Sequence, residues 1–245
     1  GGIAEKMKFF YDFHLHSCLS PCGDDDMTPY NLVNMAKLLG YDIIALTDHN
    51  SCRNAASAVR AGEQTGLVVI PGMELCTQEE AHVVCLFPDV PSAEAFEEFV
   101  REKSLGIPNR PEIFGHQLVM DDQDRILGEE ERLLINATQI GVDHVLREAR
   151  RFGGTAFPAH VDKPAYSVIA SLGAIPPEAG FRTAEISFSG DPEKLLQTNP
   201  ELSGLFILRN SDAHYLEHMR DPGPVLELPE ASAEAVIQLL NGQNS

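Results

Sequence analysis

Two histidines separated by one residue follow the first apolar segment of the chain. The segment Phe9–Phe13 is apolar except for Asp12, as expected of a buried strand, and it leads into His14 and His16. Because side chains alternate across a strand, these two histidines point to the same side. Two imidazoles on one face, at the end of a strand, are suited to bind one metal ion.

Further histidines and acids lie near the ends of the other predicted strands. Each short motif is weak alone, since a single His-x-His or Thr-Asp-His more often serves packing or a turn. In a parallel βα architecture, however, the carboxyl ends of the strands share one face, where sites are built from the connecting loops. We therefore predict a multi-metal site at this face. Its primary candidates are His14, His16, His49, Glu74, His82, His160, Asp212 and His214. A second group comprises Cys22, Asp24, Asp48 and Glu185.

Apolar segments of strand length alternate with amphipathic helices along most of the chain. Predicted strands cover residues 9–13, 42–46, 67–70, 81–87, 155–157, 183–186, 205–208 and 225–228. Predicted helices cover residues 29–39, 55–65, 92–103, 142–152, 167–172, about 192–196, and 233–240. This alternation predicts an α/β fold with a parallel sheet, either open or closed into a barrel. Residues 104–141 break the pattern with a predicted hairpin, which we interpret as an insertion in a single domain of residues 1–245.

The composition indicates an acidic protein. With a formal net charge of −19 and no cluster of Lys and Arg, we expect the surface to repel nucleic acid. Carboxylates that hold metal ions are neutralised, so a small anionic substrate could still be attracted to the site. No apolar segment approaches bilayer length, and the first residues lack a signal-peptide core, so we expect no membrane partner. The five cysteines, an odd number, argue against a disulfide scaffold and for the cytoplasm. The oligomeric state is left open.

Four dispersed motifs carry a family resemblance. In chain order they are His14-x-His16, Thr47-Asp48-His49-Asn50, Glu74 with the later His160, and Ser211-Asp212-Ala213-His214. Together they resemble the polymerase-and-histidinol-phosphatase (PHP) family, most closely its stand-alone metal-dependent phosphoesterase branch. The resemblance runs from about residue 12 to residue 214. It implies a distorted (βα)7 TIM-like barrel with two or three divalent metal ions, Zn, Mn or Fe, at the C-terminal face of the strands.

The resemblance also implies a distribution of ligands over three ions. The first ion would be held by His14, His16, Glu74 and Asp212. Glu74 would bridge to a second ion held by His82 and His160, while His49 and His214 would hold a third. The last ligand of the third ion would come from the loop 17–26, where many relatives have His or Asp. This sequence offers Cys22 or Asp24 there, and Asp24 is favoured because oxygen ligands suit a hydrolytic cluster.

The implied activity is hydrolysis of a small phosphorylated metabolite, a phosphomonoester or a nucleotide. A hydroxide bridging two ions about 3.5–4 Å apart would attack phosphorus in line. Catalytic roles are expected for Glu74, Asp212 and His214, with Arg53 and Lys163 holding a substrate acid. Asp12 and Asp48 are expected to accept the free N–H groups of ligand imidazoles. 

Two other functional classes compete with this interpretation. Amidohydrolase-like enzymes also begin with His-x-His on a first strand, but they usually end in a lone Asp where this chain has Asp212-x-His214. A non-catalytic, metal-stabilised interaction module is the second class. Structural metal sites are saturated with protein ligands, whereas eight ligands for two or three ions leave open positions. That count favours an enzyme.

Overall fold

The computed structural model describes residue 2 and residues 5–243. Ten strands lie within this part of the chain: β1 (Met7–Leu15), β2 (Ile43–Leu46), β3 (Val68–Cys76), β4 (His82–Leu86), β5 (Leu118–Met120), β6 (Ile126–Glu129), β7 (Thr155–Pro158), β8 (Thr183–Ser187), β9 (Phe206–Asn210) and β10 (Val225–Leu228). The α-helices in the same part are α1 (Pro29–Leu39), α2 (Ala55–Thr65), α3 (Val90–Glu102), α4 (Pro111–Phe114), α5 (Val142–Arg151), α6 (Val168–Leu172), α7 (Pro192–Thr198) and α8 (Ala233–Leu240). The predicted α/β class is confirmed.

Six strands form one curled sheet in the order β10-β1-β2-β3-β4-β7. The pairs β1–β2 and β2–β3 are parallel, as predicted, but β10–β1, β3–β4 and β4–β7 are antiparallel. The predicted parallel sheet is therefore correct for two of the five strand pairs and wrong for the other three. The reason is the short connection between β3, which ends at Cys76, and β4, which begins at His82. A parallel crossover needs a dozen or more residues, so β4 can only turn back beside β3.

The antiparallel direction of β4 matters for the site. Since β4 runs opposite to β3, its first residue, His82, pairs with the last residue of β3, Cys76. Strand β7 is antiparallel to β4 and so runs in the direction of β3, which brings its carboxyl end to the same edge. Ligand candidates at the start of β4 and at the end of β7 consequently share one edge.

The parallel pair β8–β9 lies between β7 and β1. On one side, the Val161 amide just after β7 donates to the Glu185 carbonyl of β8 at 2.9 Å. On the other side, Leu15 forms a parallel bridge with Ala213 just after β9, and the His16 amide donates to the Ala213 carbonyl at 3.0 Å. Seven strands thus follow one another around the edge that carries the ligand candidates. The count of seven βα units stays a prediction, because β7–β8 and β9–β1 are not paired as strands of one sheet.

Local sequence signals explain where helix α1 begins and ends. The Thr28 hydroxyl accepts a hydrogen bond from the Asn31 amide, and Pro29 occupies the first turn. Gly40 ends the helix in the left-handed conformation at φ 101°, which glycine adopts without steric cost. The helix packs Leu32, Val33 and Ala36 against the sheet and so fixes β1 and β2 side by side.

Gly72 allows β3 to approach its neighbours closely. A Cβ atom at this position would overlap the Cys85 carbonyl oxygen and touch the Thr47 side chain at 3.2 Å. Glycine avoids both contacts, so β3 can lie between β2 and β4. Glu74, two residues further along, is thereby held at the centre of the sheet edge.

The segment expected to interrupt the alternation contains the hairpin β5–β6. The hairpin lies on the loop after β1, because the Leu118 amide donates to the Cys18 carbonyl at 2.9 Å and Leu19 packs against Val119. The Asn54 side-chain amide also donates to the Leu118 carbonyl. The assignment of one domain with an insertion stays a prediction.

None of the described helices is long and apolar enough to cross a lipid bilayer. All five cysteines have free thiols, and Cys22 is the exposed one among them. These free thiols agree with the expectation that the chain carries no disulfide scaffold. 

Candidate metal centre

Six strands bring their ligand candidates to one edge. His14 lies in β1 and His16 follows it, while His49 and His160 follow β2 and β7. Glu74 lies near the end of β3 and forms a bridge with His49 across the strands. His82 opens β4, and Asp212 and His214 follow β9. All eight primary candidates therefore meet, although they are spread over 201 residues of sequence.

Glu74 is the centre of the cluster and is only 1% exposed. Its Oε2 atom lies 2.8 Å from His14 Nε2, 3.3 Å from His82 Nδ1 and 3.4 Å from His160 Nε2. Its Oε1 atom lies 3.1 Å from His16 Nε2 and 3.3 Å from His49 Nδ1. One carboxylate thus contacts five imidazoles. This arrangement fits a carboxylate that is shared between cations.

Asp212 approaches the same cluster from β9. Its Oδ1 atom lies 3.0 Å from His16 Nε2 and 3.2 Å from His14 Nε2, and these two nitrogens are 3.3 Å apart. The Asp212 carbonyl is 2.8 Å from His214 Nδ1. The other ring nitrogen of His214, Nε2, takes no part in this contact. The His214 ring stacks on the His16 ring with the centroids 4.0 Å apart.

Three groups of side chains in the described chain place ligand atoms within 4.8 Å of one another: His14, His16, Glu74 and Asp212; His49, Glu74 and His82; and His16, His49 and His214. The first group has the same members as the ligand set implied for the first ion. In the second group His49 stands where His160 was expected, although His160 also contacts Glu74. The third group has no member from the loop 17–26.

The residues present fit divalent cations. Five buried polar atoms of the cluster make no well-aligned hydrogen bond within the described chain, although four of them lie within 3.4 Å of another polar atom of the cluster. They are His49 Nδ1, Glu74 Oε2, His82 Nδ1, His160 Nδ1 and Asp212 Oδ1. Leaving buried polar atoms unpaired is costly, so their concentration at one point indicates that something else satisfies them. Imidazole nitrogens and carboxylate oxygens together are the donor set of Zn, Mn and Fe ions.

The electrostatics of the ion-free cluster is dominated by its two carboxylates. Burial opposes the ionisation of Glu74, but the positive charges of His14 and His82 outweigh burial and hold the pKa of Glu74 well below its usual value. Burial likewise opposes the charging of His16, yet Asp212 and Glu74 raise the pKa of His16 to about 9. The pKa of His82 is raised to about 10 against the effect of burial, mainly by Glu74. Protons on these imidazoles therefore supply the positive charge that metal ions would supply.

The two outer imidazoles behave in the opposite way. Burial, reinforced by the charge of His16, lowers the pKa of His49 well below its usual value and that of His214 to about 3. Both rings are consequently neutral over the physiological range, which is the form that binds a metal ion.

A second layer of residues holds the imidazoles in position. Both carboxylate oxygens of Glu185 lie 2.9 Å from His14 Nδ1, and Glu185 also accepts from the His160 amide and the Asn210 side chain. His14 Nδ1 is occupied by this contact, so His14 Nε2 is directed to Glu74. Glu185 belongs to the second group of candidates, since it lies inside a strand and not at its end. Its sequence signal is an acid in the middle of the buried segment Thr183–Ser187.

Asp48 acts on His16 through a serine. The Ser20 hydroxyl lies 2.9 Å from His16 Nδ1 and donates to Asp48 Oδ1 at 2.8 Å. The carboxylate of Asp12 accepts from the backbone amides of His14 and Ser211. Neither carboxylate accepts directly from an imidazole as had been expected, because each is occupied by backbone and hydroxyl donors. 

The two candidates for a loop ligand lie outside the three groups of ligand atoms. Asp24 Oδ1 accepts from the Asp26 amide at 2.8 Å, and the Asp24 amide donates to the His214 carbonyl at 3.0 Å. Asp24 thus ties the loop to the residue next to the site, while Cys22 is exposed. Whether either reaches a third ion stays a prediction.

The two basic residues expected at the site differ in their surroundings. Lys163 Nζ lies 3.3 Å from Asp212 Oδ2, so its charge is at the cluster. Arg53 Nη1 pairs with Glu130 Oε2 at 2.8 Å, which directs that part of the guanidinium to the inserted segment. Lys163 is therefore the better placed of the two.

Unusual backbone conformations are concentrated at this edge. Of the six non-glycine residues with positive φ in the described chain, four lie at or beside the site: Asn50 (φ 48°), His160 (φ 29°), Tyr166 (φ 56°) and Asp212 (φ 56°). Such conformations cost free energy and persist only where the surrounding structure holds them. Asn50 shows how, since its side chain donates to two carbonyls of the inserted segment and accepts from the Cys76 amide.

Comparison with known sequences identifies two relatives. A 5′-3′ exoribonuclease of Haemophilus influenzae is 34% identical over 79 residues, which make up 31% of this chain and 28% of that protein. An uncharacterized protein of Methanocaldococcus jannaschii is 29% identical over 114 residues, which make up 41% of this chain and 66% of that protein. The matched regions span less than two thirds of each relative.

Comparison with solved structures shows a shared fold. A lesion-specific endonuclease of Pyrococcus furiosus has a TM-score of 0.71 at 17% identity, with 98% of this chain and 57% of that chain covered. An endonuclease Q bound to a 27-mer duplex with an abasic lesion gives a TM-score of 0.69 at 16% identity, with 98% and 58% covered. A protein of Bifidobacterium adolescentis assigned as a metal-dependent phosphoesterase gives 0.60 at 17% identity, with 96% of both chains covered.

These comparisons correct the expectation about partners. The prediction that nucleic acid is excluded is wrong, because endonuclease Q carries this fold and holds a DNA duplex at its active site. The net charge of −19 describes the whole chain and does not report the field at the site. 

The PHP domain family matches residues 12–171, about two thirds of the chain, and this match confirms the resemblance seen in the dispersed motifs. Proteins of this family are metal-dependent hydrolases, phosphoesterases and nucleases among them. The ligand cluster described above fits that chemistry, and the chain belongs to the PHP domain family.

Proposed function

We propose that this chain is a metal-dependent phosphoesterase that hydrolyses a small phosphorylated molecule, a phosphomonoester or a nucleotide. The observation that carries the proposal is the position of Glu74, whose two oxygens lie within 3.4 Å of five imidazole nitrogens. A single buried carboxylate surrounded in this way is suited to bridge two cations. The proposal includes two or three ions of Zn, Mn or Fe.

The proposed ligands are those that the structure groups together, with His160 added for its contact with Glu74. His14, His16, Glu74 and Asp212 would hold the first ion. Bound divalent ions supply positive charge that activates water and neutralises the charge developing on a phosphate. The same proposal includes a third ion, which would be held by His214 and by a ligand from the loop 17–26.

The remaining residues orient the ligands and meet the substrate. Glu185 and the Ser20–Asp48 pair hold Nδ1 of His14 and of His16, which keeps the Nε2 atoms of both rings turned to the cluster. Lys163 lies at Asp212 and is proposed to contact a phosphate oxygen. Arg53 is proposed as a second, weaker contact, because Glu130 already neutralises part of its charge.

Open space adjoins this edge on two sides. A cavity of about 330 Å³ is lined by Ser211, Asp212, Glu217, His218 and Arg220. A second cavity, of about 440 Å³, includes Lys163, Ser189 and Lys194 in its lining. A phosphate at the cluster could therefore extend its substituent into either cavity.

A nucleic-acid strand is a second candidate substrate, and a specific observation favours it. The exoribonuclease of Haemophilus influenzae is the relative with the higher identity, 34%, and the endonuclease fold covers nearly the whole of this chain. A strand end that carries a terminal phosphate presents a phosphomonoester, as a mononucleotide does, whereas the linkages within a strand are phosphodiesters. Divalent ions can promote hydrolysis of either ester, so the same metal centre is a candidate for both.

The test is an assay of purified protein that has been stripped of metal and reloaded with Zn²⁺, Mn²⁺ or Fe²⁺. We expect hydrolysis of phosphate esters by the reloaded protein and none by the stripped protein. Parallel reactions would contain phosphomonoesters, mononucleotides, single-stranded RNA and DNA, and amides. Full activity after verified metal removal, or activity on amides alone, would overturn the proposal.

We also propose a cytoplasmic location, because all five thiols are free. A reducing compartment maintains such thiols without further protection. Fractionation of cells that express the protein would test this, and recovery in an oxidising compartment would contradict it.

A further inference from the structure

Tyr166 combines two features that are unusual for a tyrosine. Its backbone is in the left-handed region at φ 56°, a conformation that bulky residues rarely adopt. Its side chain is 55% exposed although it lies beside the buried metal centre. Strained backbone and an exposed aromatic ring both carry a cost, so their combination at one residue points to a function.

The Tyr166 ring stacks on a proposed metal ligand. Its centroid is 5.1 Å from that of His82, with the ring planes 24° apart. The Tyr166 carbonyl also accepts a hydrogen bond from the His82 amide at 3.0 Å. One face of the ring is therefore fixed against the site, and the exposed remainder of the ring is free for another contact.

The loop 160–166 that carries Tyr166 is held rigidly. The Lys163 amide donates to the His160 carbonyl at 2.9 Å, and the Ser167 hydroxyl donates to the Lys163 carbonyl at 2.7 Å. The Ser167 hydroxyl also accepts from the Ala170 amide and so caps α6. These hydrogen bonds hold the backbone of the loop, and the stack on His82 holds the ring, so less conformational entropy is lost when a ligand binds.

The same loop carries a positive charge to the other carboxylate of the cluster. Lys163 Nζ lies 3.3 Å from Asp212 Oδ2, while Tyr166 stacks on His82. The loop thus presents two groups three residues apart: the cation of Lys163, which is suited to a phosphate, and the aromatic face of Tyr166, which is suited to a planar ring. A nucleotide unit combines these two groups in one molecule.

We propose that Tyr166 is a specificity-determining residue whose free ring face stacks on the nucleobase next to the phosphate being hydrolysed. The inference rests on the proposed function and narrows its substrate class to phosphate esters that carry a nucleobase. The base belongs either to a mononucleotide or to the end of a strand. Stacking of a base on an aromatic side chain tolerates any base sequence, so selectivity among the four bases is not expected.

The experiment compares Tyr166→Ala and Tyr166→Phe with the wild-type holoenzyme. Tyr30→Ala is the matched control, since Tyr30 is also exposed but lies on helix α1. Each protein is assayed with a mononucleotide, a short single-stranded oligonucleotide and a phosphate ester without an aromatic group. Bound metal is measured for each by elemental analysis.

We expect Tyr166→Ala to lower kcat/KM by about tenfold to one-hundredfold for the substrates that carry a base. The ester without a base should change by less than about twofold, and Tyr166→Phe should retain wild-type values because the ring remains. A loss of activity on the mononucleotide would show that Tyr166 stacks on the base of a free nucleotide. A loss confined to the oligonucleotide would show that it stacks on the base at a strand end. An equal loss on all substrates, or a loss of bound metal, would overturn the proposal and assign Tyr166 to positioning His82.

Direct binding separates this inference from the proposed function. Calorimetric titration of a non-hydrolysable nucleoside phosphonate into the metal-loaded wild-type protein and into metal-loaded Tyr166→Ala needs no turnover. Weaker binding by Tyr166→Ala would support the stacking contact even if no ester were hydrolysed. Equal binding by both proteins would contradict it even if the wild-type protein were an active phosphoesterase.

Discussion

At the scale of single residues, the site depends on two carboxylates that receive most of the contacts. Glu74 contacts five imidazoles, and Asp212 contacts three imidazoles and Lys163. Their neighbours are directed inward by Glu185 and by Ser20 with Asp48. Removing a central carboxylate and removing an orienting one should therefore have different consequences.

Glu74→Gln should abolish the cluster as a binding site for metal. The amide keeps the shape of the side chain but removes the negative charge that two cations would share. We expect loss of bound metal by elemental analysis and a fall in phosphate release of more than about 100-fold. Glu178→Gln, at an exposed position, is the matched control and should behave as wild type. Retention of metal and activity by Glu74→Gln would show that Glu74 is not shared between ions.

Glu185→Gln should weaken metal binding without removing a ligand. The neutral amide can still contact His14 Nδ1, but it no longer raises the basicity of that ring. Outer partners of this kind typically contribute 10–100-fold to metal affinity or activity, and we expect a decrease in that range. Competition with a chelator of known affinity would measure it. An unchanged affinity would limit Glu185 to a structural role.

At the scale of secondary-structure elements, the sequence predicted most helices and strands but not every strand direction. Helix α2 occupies the predicted residues 55–65, because its apolar spacing and the following Gly66 are local signals. The direction of β4 depends on the short link from β3, a constraint that apolar periodicity does not express. The motifs also predicted the ligand residues, but not the residues that hydrogen-bond to them. The Glu185–His14 contact spans 171 positions and could only be found in three dimensions.

The inserted segment is attached to the rest of the fold through a buried acid, Glu130. Its carboxylate pairs with Arg53, with Arg101 at 3.6 Å and with Arg132 at 3.8 Å. The Arg132 side chain is only 10% exposed and donates to the Asn50 carbonyl, next to His49. The insertion therefore supports the turn that carries a ligand candidate.

Glu130→Ala should destabilise the protein by about 1–3 kcal/mol, the range for lost hydrogen bonds to charged groups when two of the three partners remain partly solvated. Denaturant unfolding of the metal-free protein would measure the change. Glu129→Ala is the matched control, because the neighbouring acid is exposed and pairs with exposed His116. It should change the free energy of unfolding by less than about 0.5 kcal/mol. Equal effects of the two variants would contradict the role given to Glu130.

At the scale of the whole molecule, charge is distributed unevenly. The formal net charge is −19, yet the metal centre concentrates histidines and is flanked by Lys163. This distribution explains why the overall charge misled the expectation about nucleic acid, since the field that a substrate meets is local and depends on bound cations. It also makes the stability of the protein depend on metal and on pH.

Metal-free protein should lose stability as the pH rises from 7 to 9. The pKa values of His16 and His82 are raised in the folded state to about 9 and about 10, so the folded protein holds protons that the unfolded chain releases near pH 6.5. The stability that these protons contribute is complete below pH 6.5 and is lost as the pH approaches the folded pKa values. Each such proton contributes at most about 1.4 kcal/mol per pH unit, so the two together should lower the free energy of unfolding by about 4–5 kcal/mol over this interval.

Denaturant unfolding at pH 7, 8 and 9 with a chelator present would measure this slope. Metal-loaded protein is the control, because bound ions replace the protons and should make the stability nearly independent of pH over this interval. An increase in the stability of the metal-free protein with pH would contradict the raised pKa values of His16 and His82.

The pairing of β10 with β1 has a consequence for biosynthesis. Met7–Phe10 of β1 pair with Val225–Leu228 of β10, while the other half of β1 leads to His14 and His16. Strand β1 thus gains this neighbour only after more than 200 further residues have been synthesised. Ion binding should accordingly follow the synthesis of β10, and nascent chains arrested before β10 should acquire metal poorly.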